Sequence, residues 1–239
     1  MIRREFVNAR WRLGVGLLVA LVTGGGFAPL FFVVRSLVPG AHGLSPAAAA
    51  ALSSKPAYLL SWFVKTMPQL ITVYALILVL GSVVGEATGG SITWLLMLPR
   101  PRWWIILHKQ LAASLEVGLV ALAALAALWT GGSVAFGRLP PGMIGASLLG
   151  IADALAIEAV IGFVGIWFLT PIAVVVAVAV LFAFSIIAQI APALDVLHVA
   201  SARSFLAGTI PWSDLAVMLA AGALAVTCSV LVFQRKELW

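Results

Sequence analysis

Apolar residues run through this chain in six long blocks: Leu13–Val34, Met67–Val84, Ile105–Trp129, Met143–Phe168, Pro171–Ala191 and Leu215–Phe233. Glycine, proline and charge concentrate between them. Each block is close to the ~20 residues that a helix needs to cross a bilayer. The pattern predicts an all-α, polytopic integral membrane protein with six transmembrane helices, short connections and both termini on the same side. The fourth and fifth blocks nearly fuse. They divide at Thr170-Pro171, because proline lacks an amide donor and readily opens a helix. Residues 39–56, rich in Ala, Ser and Gly, read as an outer loop with one short helix. Residues 192–213 are too polar to span and too apolar for a free loop, which predicts a re-entrant or interfacial outer segment between spans five and six.

Composition agrees with this layout. Of 239 residues, 63% are hydrophobic and 9% charged, against roughly 45–50% and about 25% in soluble domains. Six spans leave no room for a sizeable soluble domain, so residues 1–239 read as a single transmembrane domain. The first block is too long for the core of a signal peptide and is expected to be a retained span. One cysteine, Cys228, and three scattered histidines, His42, His108 and His198, offer no metal-ligand spacing.

The formal charge of +6 acts first on topology. Arg3, Arg4, Arg10, Arg12, Arg100, Arg102, Lys109, Arg235 and Lys236 fall on one side of the six-span layout; Arg35, Lys55, Lys65, Arg138 and Arg203 fall on the other. The richer side, which holds both termini and the connection between spans two and three, is expected to be cytoplasmic. Most tryptophans, Trp11, Trp62, Trp129 and Trp212 among them, lie near span ends, where the headgroup level favours their rings. The charge is thereby accounted for without a nucleic-acid partner. In residues 1–12, Ile2, Phe6 and Ala9 share a stripe that continues to Leu13, while Arg4, Glu5, Asn8 and Arg12 point away. This predicts an interfacial helix, anchored by Ile2, Arg3, Arg4, Phe6 and Arg10, before the chain turns into the bilayer.

The most informative segment is the connection 85–109, GEATGGSITWLLMLPRPRWWIILHK. Gly89-Gly90 breaks the helix leaving the membrane and Ser91 can cap a new one. Ile92, Trp94, Leu95, Leu96 and Leu98 make that helix apolar until Pro99 and Pro101 end it. A short apolar helix beside the bilayer can dock in a groove of a partner protein or rest on lipid. The segment resembles the corresponding loop in the permease subunits of type-2 ABC exporters. There a Glu after span two, a Gly-Thr pair, a short apolar helix, a Pro, an Arg and a Lys entering span three occur in this order. Here these positions are Glu86, Gly90-Ser91, Ile92 with Leu95 and Leu96, Pro99, Arg102 and Lys109; Ser91 replaces the Thr, and Thr88 replaces a second acidic residue. The resemblance covers the whole chain in layout and about 25 residues in motif.

The resemblance implies that 85–109 is a coupling loop that contacts a separate ATPase subunit, present in two copies. It also implies a second permease subunit, identical or homologous, and a place in a bacterial cell membrane. No G-x-x-x-x-G-K-[ST] occurs, and the triplet Gly24-Gly25-Gly26 lies within span one with no Lys after it. ATP and Mg are therefore expected on the partner, and no enzymatic activity on this chain.

Within the fourth block, Asp153 and Glu158 stand where a charge costs at least ~2.5–3.5 kcal/mol. They are candidates for the substrate pathway, or for hydrogen bonds between helices. Five residues apart, they sit about 140° apart around a helix and cannot act as a paired acid and base. Glu116, two turns after Lys109, suggests a local pair with it. Gly81 and Gly85 permit a close helix contact. A secondary transporter or channel using Asp153 and Glu158 is the alternative function, although no repeat of broken helices is visible. Ser201 near His198 lacks the orienting acid that a nucleophile needs.

Overall fold

In a computed structural model of the chain, the structure describes residues 2–37, 46–90, 101–190, 205 and 207–235, with side chains described at 10–37, 49–90, 101–183, 205 and 207–235. Helix is the only regular element among them: α1 (Ile2–Leu37), α2 (Pro46–Leu52), α3 (Lys55–Ser61), a π-helical turn (Trp62–Thr66), α4 (Met67–Gly81), α5 (Val83–Thr88), α6 (Arg102–Phe136), α7 (Met143–Phe168), α8 (Pro171–Ile190) and α9 (Trp212–Arg235). In hydrocarbon every backbone N–H and C=O must find its partner within the element, so long apolar blocks settle as helices. Five segments are long and apolar enough to cross a membrane: Arg10–Leu37, Lys55–Thr88, Arg102–Phe136, Met143–Phe168 and Trp212–Arg235. The chain has the make-up of a multi-pass membrane protein. The fifth apolar block forms α8, whose stretch Pro171–Ala183 is shorter than these five.

The helix boundaries follow from local chemistry. Leu169 ends α7 with φ 52, in the left-handed region, and its N–H reaches the Gly165 carbonyl at 2.9 Å. That conformation costs a non-glycine residue roughly 1–2 kcal/mol; the Leu169 side chain offsets it by packing against the cluster of Val83, Ile106, Ile166 and Phe233. Pro171 then opens α8, so the expected division at Thr170-Pro171 is present. The short helix expected in the outer loop is α2. The second span is longer than its apolar block, for it begins at Lys55 and passes through the π-turn just before Pro68. Proline removes a ladder hydrogen bond there, and the wider turn accommodates the loss.

One expectation is corrected. α1 runs unbroken from Ile2 to Leu37, so the chain does not turn between an interfacial helix and the first span. No glycine or proline occurs before Gly14 to break it. The side chains of Ile2, Arg3, Arg4 and Phe6 lie outside the described residues; Arg10 is exposed.

α1 packs chiefly on α6, and α7 occupies the centre, touching α4, α6, α8 and α9. The α1–α6 crossing is made of small residues. A Cβ added to Gly24 would strike the Ala124 carbonyl, and one added to Gly131 would lie 2.5 Å from the Gly25 carbonyl. The glycine triplet of α1 therefore serves backbone contact between helices. Leu18, Val22 and Phe32 of α1 and Val217, Leu224 and Leu231 of α9 point outward, as lipid-facing side chains do. Residues 207–211 pack on the start of α7: a Cβ on Gly145 would meet the Thr209 carbonyl and the Ile210 Cα. The preceding part of 192–213, apart from buried Phe205, lies outside the described residues.

Candidate functional site

Gly89-Gly90 ends α5, as read from the sequence. Gly89 N–H bonds the Gly85 carbonyl at 2.9 Å, and Gly90 takes φ +74, a conformation glycine adopts without steric cost. On the far side of 91–100, Pro101 precedes α6, which Arg102 begins. Between them Ser91, Ile92, Leu95, Leu96 and Pro99 lie outside the described residues, so the short apolar helix expected there does too.

The two roots of that segment are tied together. Lys109 Nζ lies 2.7 Å from Glu86 Oε1, joining α6 to α5. The lysine side chain is 3% exposed and the glutamate side chain 26%. Both residues were singled out in the sequence, and the fold makes them partners across 23 positions. The pair supplies the lysine with a counter-charge at a depth where water is scarce, which such a group needs. Just before it, His108 stacks on Trp104 with ring centroids 3.6 Å apart and bonds the Trp104 carbonyl through Nδ1 at 2.9 Å.

The sequence suggests a local pair between Lys109 and Glu116; the contacts seen for each lead to other helices. Lys109 turns to Glu86, while Glu116, 2% exposed, accepts a long 3.5 Å hydrogen bond from the Tyr74 hydroxyl of α4. Arg12 of α1 lies alongside, its guanidinium against Gly81. The space that Gly81 leaves is thus filled by an arginine and is not used for a close helix contact. Thr72 bonds the Pro68 carbonyl of its own helix at 2.7 Å.

One turn deeper, Glu158 of α7 is fully enclosed. Its Oε1 accepts from Gln110 Nε2 and its Oε2 from Ser114 Oγ, both at 2.8 Å. Gln110 and Ser114 stand four residues apart on α6 and so present one face to α7. Gly162, one turn beyond Glu158, makes room: a Cβ there would fall 2.7 Å from the Gln110 amide nitrogen. Gln110, Ser114 and Gly162 were missed in the sequence. Their signal was a polar i, i+4 pair within an otherwise apolar helix. Asp153 is also buried, 2% exposed, about 140° around α7 from Glu158. Ser114 also lines a crevice of about 180 Å³ between α7 and α9, walled by Ala156, Ala159, Met218 and Gly222.

Four polar contacts therefore leave α6 within two turns, one toward α5, two toward α7 and one toward α4. The start of α6, at the root of 91–100, is joined to α5 by an ion pair and to α7 by two hydrogen bonds. No protein-family model matches the sequence, and no curated protein matches it at a significant level.

Proposed function

We propose that this chain is the transmembrane permease subunit of an ATP-driven ABC exporter. The observation that carries the reading is the Glu86–Lys109 ion pair. It fastens together the helices on either side of 91–100, the segment whose residues resemble a coupling helix. In this reading α8 completes a set of six spans, and both termini and the 85–109 loop face the cytoplasm of a bacterial cell. Two permease subunits, as a homodimer or with a homologue, enclose the path. Two ATPase subunits bind ATP and Mg and press on the loop.

The mechanism is a population shift. ATPase closure favours one position of the loop helix because its contacts there differ in free energy from those in the open state. Through Lys109 and Glu86 the displacement tilts α5 and α6 together. Through Gln110 and Ser114 it reaches α7, which carries Glu158 and, on another face, Asp153. These acids belong to the path or to its support.

The test is co-purification with an ABC ATPase, sought first in the genes neighbouring this one. The intact complex should hydrolyse ATP at a rate that falls at least tenfold in Leu95→Ala and in Glu86→Gln, with assembly of the latter retained. Full hydrolysis in both would overturn the reading. Orientation is checked in a Cys228→Ser background: a single cysteine at 94 should react with an impermeant maleimide only from the cytoplasmic side. The burial of Glu158 and Asp153 favours a second reading, an ion-gradient transporter or channel. Transport that survives ATP depletion and stops on collapse of the gradient would select it.

A further inference from the structure

A groove of about 310 Å³ runs along the outer side of α1 and α4, with Trp11 and Arg12 at one end and Val15, Val19, Val73 and Ile77 along its walls. These four aliphatic side chains are 40–51% exposed, so the groove is open to the bilayer for its whole length. Its floor exists because α1 has glycine at position 16. A Cβ there would collide with the ring of Tyr74, which is held at the bottom of the groove by its contact with Glu116.

Arg12 gives this groove a charged end. Its guanidinium folds against Gly81, its Nε is buried without a hydrogen-bond partner, and no carboxylate among the described residues lies within ion-pair distance. An arginine at the start of a span, lacking an acid, is a ready partner for a phosphate, whose oxygens match the guanidinium fork. Trp11, 77% exposed, stands beside it where headgroups and acyl chains meet. From Arg12 to Val19 the helix rises about 10 Å, the length of the upper part of an acyl chain.

We propose that the α1–α4 groove binds one anionic phospholipid, its phosphate on Arg12 and one acyl chain along Val15, Val19, Val73 and Ile77. Cation and apolar trough belong to one continuous surface, which a free phosphate or a neutral hydrocarbon would satisfy only by half. The inference is independent of the transport reading. Bound there, the lipid ties the start of α1 to the second span, and its phosphate gives the Arg12 guanidinium a counter-charge.

The full chain, purified in a neutral detergent, is titrated with palmitoyl-oleoyl phosphatidylglycerol and with the matching phosphatidylcholine. Bound lipid is counted by native mass spectrometry and unfolding is followed by temperature. One phosphatidylglycerol per chain should bind about fivefold tighter than phosphatidylcholine, the preference expected of a single basic residue at a membrane surface. Arg12→Gln should abolish the preference, and Arg12→Lys should retain most of it. Val73→Phe fills the trough and leaves Arg12 in place, so it should lose the bound lipid; this variant decides the matter if Arg12→Gln fails to fold. Glycerol 3-phosphate, which lacks the chain, should not stabilise the protein. Equal binding of the two lipids, a preference that survives Arg12→Gln, or lipid retained in Val73→Phe would each overturn the proposal.

Discussion

The two ends of the bundle are held by different chemistry. At the end formed by the start of α6 and the close of α5 and α7, polar groups join the helices: Lys109 with Glu86, Gln110 and Ser114 with Glu158, Tyr74 with Glu116. At the opposite end aromatic rings do so. Phe27 stacks on Tyr58 at 4.4 Å, Phe31 meets Tyr58 at 5.2 Å and Phe136 edge-on at 5.5 Å, and Lys55 lies over the rings of Phe32 and Phe136. Aromatic contacts tolerate small shifts, since their attraction is spread over many atoms. Ion pairs and hydrogen bonds depend steeply on geometry. The aromatic end therefore anchors the bundle, and the polar end is where a displacement is felt by named partners. In the proposed exporter the second is the end that faces the motor.

The largest effect should come from the anchor. Phe31→Ala removes a ring that is 1% exposed and contacts three others, and should cost about 3–5 kcal/mol. Unfolding in mixed micelles of increasing dodecyl sulfate fraction measures it. A loss below about 1 kcal/mol would mean that the aromatic end does not hold the fold. Next comes Lys109→Met, which leaves Glu86 without its counter-charge. Removing one partner of a fully buried pair costs about 3–5 kcal/mol; the partial exposure of Glu86 brings the expectation to about 2–3. Glu86→Gln added to Lys109→Met should recover part of the loss, and a purely additive double mutant would show that the two groups are not coupled.

Much of this architecture is legible in the sequence. The apolar blocks mark the long helices, since hydrocarbon forbids most alternatives, and Thr170-Pro171 and Gly89-Gly90 mark real ends. Glu86 and Lys109 are both conspicuous as charges at the edges of apolar runs. What the sequence conceals is who meets whom. Lys109 and Glu116 share a helical face, so a local pair is the natural expectation, yet α5 supplies Glu86 as an ion-pair partner. The glycine triplet of α1 signals a close approach without naming α6 as the partner. The stripe of Ile2, Phe6 and Ala9 suits a helix lying on the membrane as well as one continuing into it. Only the continuity of α1 to Leu37 distinguishes them. Each of these depends on tertiary placement, which period and spacing do not encode.

A smaller effect tests whether the polar end carries signals or only stability. Gln110→Leu removes the donor to Glu158 Oε1 and leaves Ser114 in place; a buried acceptor left without its donor costs about 1–3 kcal/mol. The expected loss is near 2 kcal/mol at most, because Ser114 still serves the other oxygen. If the network passes motion from α6 to α7, this variant should fold, assemble with its ATPase and hydrolyse ATP with transport reduced well beyond its loss of stability. If transport falls only with the amount of folded protein, the network is structural.

The smallest effect belongs to the exposed rim of the aromatic end. Lys55 caps α1 and α6 from outside, with its Nζ 5.7 Å from the Phe32 ring centre and 5.5 Å from that of Phe136. Cation–π contacts at exposed sites contribute about 0.5–1 kcal/mol, so Lys55→Gln should cost about that, and Lys55→Arg almost nothing. Because the attraction is electrostatic, the difference between wild type and Lys55→Gln should shrink when unfolding is repeated at high salt. The Phe31→Ala loss, which is a matter of packing, should not change. Equal salt sensitivity in the two variants would erase the distinction between a rim held by charge and an anchor held by contact.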